Sequence, residues 1–119
     1  MAAPNELDLT VIVTTHGEGR LLRPTLRSIE LALLRFHNTE RTAELLLVCD
    51  RIDARTQHEV NYWITERRDL SFDVRAIVVD LGESGAARNA GASAASGRFI
   101  AFIDGADLIS DAYLLGAVE

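Results

Sequence analysis

The stretch 98-RFIAFIDGAD-107 decides how the chain folds. Its apolar run carries no alternating polar residues, so it reads as a strand buried on both faces. It ends in two carboxylates, Asp104 and Asp107, separated by the small residues Gly105 and Ala106. An apolar strand has no structural need of Asp104 at its carboxyl end, and the Gly-Ala pair leaves that end open to a ligand. Strands buried on both faces belong to parallel sheets covered by helices, so strand and helix should alternate along the rest of the chain.

They do. Leu9 to Thr14, LTVIVT, is a β-branched run that passes into the polar loop THGEG. Pro24 suits the first turn of a helix on which Leu26, Ile29, Leu33 and Phe36 recur at helical spacing. Ala43 to Cys49 is a second buried run, stopped by Asp50, and a helix with Val60, Trp63 and Ile64 on one face is expected from about Thr56. Val74 to Val79 gives the third strand, Ser84 to Ser96 an alanine-rich helix, and Phe99 to Ile103 the fourth strand. Ser110 is placed to N-cap a last helix. The pattern predicts an α/β fold, a parallel sheet of about four strands in the order 3-2-1-4 with right-handed crossovers. Ligands then bind beyond the carboxyl ends of the strands.

At 119 residues the chain is expected to form a single domain over residues 1–119. Its 48% hydrophobic and 25% charged content is that of a folded globular chain. Twelve basic against eighteen acidic residues give a net charge of −6, which opposes general attraction to nucleic acid or to a membrane surface. The single cysteine, Cys49, excludes an internal disulfide or a cysteine-rich zinc site and makes a reducing cytoplasm the expected compartment. MAAPNELD lacks the order of a secretion signal, and no apolar run approaches the roughly eighteen residues of a spanning helix.

The strand reading brings Glu18, Asp50, Asp53, Asp104 and Asp107 to one rim of the sheet. Carboxylates there suit two tasks: accepting hydrogen bonds from ribose or base, and holding a hard cation that neutralises a diphosphate. The competing role for each is a helix cap or a turn. Residues 84–97 lack the Lys-Ser or Lys-Thr of a phosphate loop, and 17-GEGRLL-22 lacks the third glycine of a dinucleotide fingerprint. Ala86, Ala87, Ala90, Gly91 and Ala94 instead let a helix lie close to the sheet. Arg88 and Asn89 are then its polar members, with ligand contact or a surface ion pair as the choices for Arg88. His37 and His58 read as solvent-facing, and His16 as a residue that shapes the rim loop. No GxSxG elbow marks a serine nucleophile.

Together these segments resemble the amino-terminal half of glycosyltransferase family 2, enzymes of the GT-A fold. LTVIVTTHGEGRLLRPTLRSI is similar to the family's first strand, its PxxNE-like loop and the helix that follows. ELLLVCDRIDART is similar to the second strand with its nucleotide-holding acid, and GESGAARNAGASAASGRFIAFIDGAD to the signature GxxxARNxGxxxAxGxxIxFxDxDD. The resemblance implies a Rossmann-like nucleotide-binding half in which Thr15 and Glu18 line the pocket, Asp50 contacts base or ribose, and Arg88 lies near the nucleobase. Asp104 would open the metal and diphosphate motif, with Asp107 as the second metal ligand and Mg²⁺ or Mn²⁺ as cofactor. It further implies an inverting glycosyltransferase using a nucleotide-diphosphate sugar and an acceptor of unspecified class. This chain would be its truncated amino-terminal part, supplying the donor-binding half and inactive alone, with the general base outside it. The sequence departs from the pattern at Ala106, where the family carries a carboxylate, and at Thr14 and Gly17, which replace the usual proline and asparagine. The alternatives are a catalytically inactive nucleotide-sugar-binding or scaffold module, and a flavodoxin-like regulator.

Overall fold

Each apolar run forms a strand in the computed structural model, which describes residues 6–66, 72–110 and 112–118. β1 (Leu7–Thr15), β2 (Ala43–Asp50), β3 (Asp73–Val79) and β4 (Gly97–Asp104) are all parallel and lie in the order β3-β2-β1-β4. The intervening helices are α1 (Leu22–His37), α2 (Ala54–Glu66) and α3 (Ser84–Ala94), with α4 (Tyr113–Val118) after β4. This is the expected α/β topology. Extensions of a residue or two at the strand ends reflect ladder hydrogen bonds that continue past the apolar run.

Register sorts the strand residues onto two faces. Leu9, Val11 and Val13 stand beside Leu45, Leu47, Cys49, Ala101 and Ile103, and all pack beneath α1 and α2. Leu26, Ile29, Leu33 and Phe36 are buried there as their spacing predicts, together with Val60 and Trp63. Ile64 departs from the expectation. It is 37% exposed, because α2 turns only a narrow stripe toward the sheet.

On the opposite face Ile12, Leu46 and Val48 pack on Ala87 of α3, with Ile77, Val79 and Ala92 around them. The approach is close. A Cβ on Gly91 would sit 2.7 Å from Ile12 Cγ2 and 3.0 Å from Val48 Cγ2. Gly91→Ala is therefore expected to lift α3 and cost about 1–3 kcal/mol by overpacking, read as a lower denaturant midpoint at unchanged slope.

Two further expectations are corrected. β4 is not buried on both faces: Ile100 and Phe102 remain 38% and 46% exposed. Among the described residues it is an edge strand, and α3 packs chiefly over β1, β2 and β3. The alanine-rich helix also stops at Ala94 rather than Ser96. Ala95 is extended, and the Ser96 N–H leaves the helix to donate to Glu44 Oε2 at 2.7 Å.

Candidate functional site

The carboxyl ends of β1, β2 and β4 and the start of α3 surround a cleft of about 410 Å³. Thr15, Glu18, Asp50, Arg88 and Asp104 all line it, so the structure brings these candidates together. His16, Glu83, Ser84 and Ala106 complete much of the wall.

β1 delivers Thr15 and the loop after it. The Thr15 hydroxyl and the His16 N–H both donate to Glu18 Oε1, which fixes that carboxylate at the mouth of the cleft. The Gly105 backbone lies against it, since a Cβ there would be 2.9 Å from Glu18 Cδ. His16 Nδ1 is 2.7 Å from the Asp50 carbonyl oxygen. That oxygen can only accept, so Nδ1 carries the proton and the ring ties the ends of β1 and β2 together.

Asp50, at the end of β2, is buried. Its Oδ1 accepts from Leu81 N at 2.8 Å, and its Oδ2 from Gly82 N at 2.9 Å. These bonds close the loop between β3 and α3, where Gly82 has φ +70°, a left-handed conformation suited to glycine. They also hold the Asp50 carboxyl below the ordinary aspartate value of 3.8. A lowered folded value stabilises the native state above the unfolded pKa, and that contribution is lost as pH falls through the folded one. Asp50→Asn should thus be less stable than the parent in urea at neutral pH, with the gap narrowing below about pH 4.

Asp53 does not join the lining residues. It accepts from Thr56 N at 2.8 Å and caps α2, which moves the helix start back to Ala54. Asp104 faces the cleft from β4, held by the Thr14 hydroxyl at 3.3 Å and by Arg88 Nη2 at 3.2 Å, all on its Oδ1. Register explains the first contact, because Thr14 and Asp104 are paired neighbours on β1 and β4. Asp107 lies elsewhere, lining a separate recess with Phe102, Leu108 and Tyr113. Among the described residues, no group of three or more His, Cys, Asp or Glu gathers to hold a metal through protein ligands alone.

Sequence reasoning missed Thr14, treated only as a departure, and the wall formed by Glu83 and Ser84. The signal for that wall was the glycine of 81-LGES-84, which forces a turn just ahead of a helix. Among the described residues no helix is long and apolar enough to cross a membrane.

Comparison with known proteins follows the same lines. No curated protein matches the chain. Residues 1–349 of S. aureus TarS superpose with a TM-score of 0.70 at 23% identity, over 93% of this chain and 31% of that one. The same segment has been solved in complex with UDP. The mannosyltransferase PcManGT from Pyrobaculum calidifontis, in complex with GDP-Man and Mn²⁺, gives a TM-score of 0.75 at 23% identity, over 95% of this chain and 32% of that one. Such identities show a shared fold, and this chain spans about a third of the length of those two. The profile of Glycosyl transferase family 2 matches residues 10–119, from within β1 to the last residue, and the chain belongs to that family.

Proposed function

We propose that this chain is the donor-binding half of an inverting glycosyltransferase that takes a sugar from a nucleoside-diphosphate sugar. The observation that carries the reading is the convergence of Thr15, Glu18, Asp50, Arg88 and Asp104 on one cleft at the carboxyl ends of a parallel sheet. Asp50 keeps acceptor capacity on Oδ2 beside the loop N–H, and accepts from ribose or base. Glu18 offers Oε2 to a sugar or ribose hydroxyl, its Oε1 being held by Thr15 and His16. Arg88 lies on the nucleobase side.

Charge decides how the diphosphate is held. Glu18, Asp50, Glu83 and Asp104 face the cleft with Arg88 as the lining arginine, so bare phosphate is repelled. A Mg²⁺ or Mn²⁺ ion fits as a bridge, because such ions are commonly held by one or two carboxylates together with substrate phosphates. Asp104 would be the protein ligand. When bound, the ion neutralises charge on the leaving diphosphate. Transfer also needs a base for the acceptor hydroxyl, which we place outside these residues, so the chain alone binds donor without turning it over.

A second reading, a binding module without catalysis, draws on Ala106 and on the placement of Asp107 in its own recess. Calorimetric titration with UDP-, GDP- and dTDP-sugars, with and without Mn²⁺, tests both. One of them should bind, and Arg88→Ala and Asp104→Asn should each weaken that binding about tenfold or more. Binding indifferent to Asp104 favours the second reading. Failure of every donor to bind would refute the first.

A further inference from the structure

α3 carries Arg88 to the cleft, yet it rests on the sheet through Ala87 and Gly91, which give no side-chain interlock along the helix axis. Two carboxylates of β2 supply the missing restraint. Asp50, Leu46 and Glu44 share the strand face that α3 covers. Asp50 takes the Leu81 and Gly82 N–H groups just before α3 begins, and Glu44 takes the Ser96 N–H just after it ends. From Glu44 to Asp50 the strand advances about 20 Å at roughly 3.3 Å per residue. An eleven-residue helix such as α3 is about 16 Å long, so the carboxylates bracket it and its two short connections.

The Glu44 end is the more elaborate. Glu44 is buried and also accepts from Thr10 Oγ1 at 2.7 Å and from Arg75 Nε at 2.9 Å. Arg75 in turn donates to the Ala94 carbonyl at 2.7 Å, satisfying one of the acceptors that the end of α3 leaves open. The Thr10 hydroxyl accepts from Gly97 N at 2.8 Å. A buried glutamate in an apolar strand is costly unless fully bonded, and every one of these bonds leads to the C-terminal end of α3 or to the start of β4. Those are the two elements that bring Arg88 and Asp104 together.

We propose that Glu44, at the end of the sheet remote from the cleft, is a positioning residue for the donor site. Through Arg75 and Ser96 it sets where α3 stands along its axis, and so whether Arg88 reaches Asp104. An axial slip of about 1 Å would lengthen or reorient the 3.2 Å contact between them. The effect on binding rests on the donor-binding reading above; the effect on Arg88 does not.

The test therefore has two arms. In the nucleotide-free chain, Glu44→Gln and Arg75→Gln should each move the Arg88 Nε–H resonance in ¹⁵N spectra, identified by its disappearance in Arg88→Lys. Arg98→Gln, which removes the pair with Glu6 near the same end of the sheet, should not. Arg75 is partly exposed on an edge strand, so its variant carries this arm if Glu44→Gln does not fold. In the second arm, Glu44→Gln, or Arg75→Gln in its place, should weaken the donor that binds by about fivefold in the parent background and not at all in Arg88→Ala. That non-additivity is the signature of action through Arg88, which a general loss of stability does not produce. An unmoved Arg88 resonance in a folded variant, or additive losses of affinity, overturns the proposal. If the parent binds no donor, the donor-binding reading fails and the Arg88 resonance alone decides.

Discussion

Gly97→Ala is expected to be the most damaging small substitution in the sheet. A Cβ there would lie 2.3 Å from Thr10 N, 2.5 Å from Leu9 C and 2.8 Å from Thr10 Oγ1. The first two are backbone atoms of β1 and cannot rotate away, unlike the side chains that meet a Cβ at Gly91 or Gly105. Relief requires β4 to separate from β1 at the start of their ladder, where Leu7 pairs with Gly97. The same shift breaks the Gly97 N–H bond to Thr10 and disturbs the buried Glu44 that Thr10 serves. We expect a loss of about 3 kcal/mol or more, above the usual overpacking range, from a total of about 5–15 kcal/mol. For a domain of this size that is a fall of about 10 °C or more in Tm, measurable by circular dichroism. Because β4 carries Asp104, donor affinity should fall even where the variant remains folded. An unchanged Tm would show that β1 and β4 tolerate a wider spacing than the structure gives them.

Gly97 also illustrates what a sequence displays and what it hides. The strand order followed from alternation of apolar runs with helical stripes, since parallel strands joined by right-handed crossovers leave few arrangements. The rim followed from the same order, and it gathered Glu18, Asp50 and Asp104 although they lie far apart in the chain. Coverage was not legible. RFIAFI says that the strand is apolar, but not that α3 would lie over β1 to β3 and leave Ile100 and Phe102 half-covered. Nor was the division of labour among the acids. Asp50 and Asp53 follow the same strand, and only their geometry shows Asp53 bonded to α2 while Asp50 remains in the cleft. Glu44 stood in plain view as a charged residue within AELLLVC. Its meaning lay in Thr10, Arg75 and Ser96, partners on other elements that no local pattern connects to it.

Ala106→Asp should convert a weakly cation-dependent donor site into a strongly dependent one. Ala106 lines the cleft beside Asp104, so a carboxylate at that position adds hard oxygen ligands next to the acid we assign to the cation. In the parent Asp104 is the carboxylate we assign to the cation, and we expect Mn²⁺ to improve its donor affinity by a few-fold. The variant has two opposing terms. Without metal, the added negative charge joins Glu18, Glu83 and Asp104 and repels the diphosphate, so under chelator it should bind more weakly than the parent. With Mn²⁺ present, the second carboxylate would add a hard oxygen ligand for the ion, and affinity should equal or exceed the parent's. The ratio of affinities with and without Mn²⁺ should therefore rise about tenfold or more, and calorimetry at fixed ionic strength reads it directly. Ala106→Asn separates the terms, since it supplies an oxygen without the charge and should escape the chelator penalty. Strong Mn²⁺ dependence already in the parent would sink the prediction. Asp107→Asn would then show whether Asp107 moves out of its recess to join Asp104, or whether Asp104 and the diphosphate suffice.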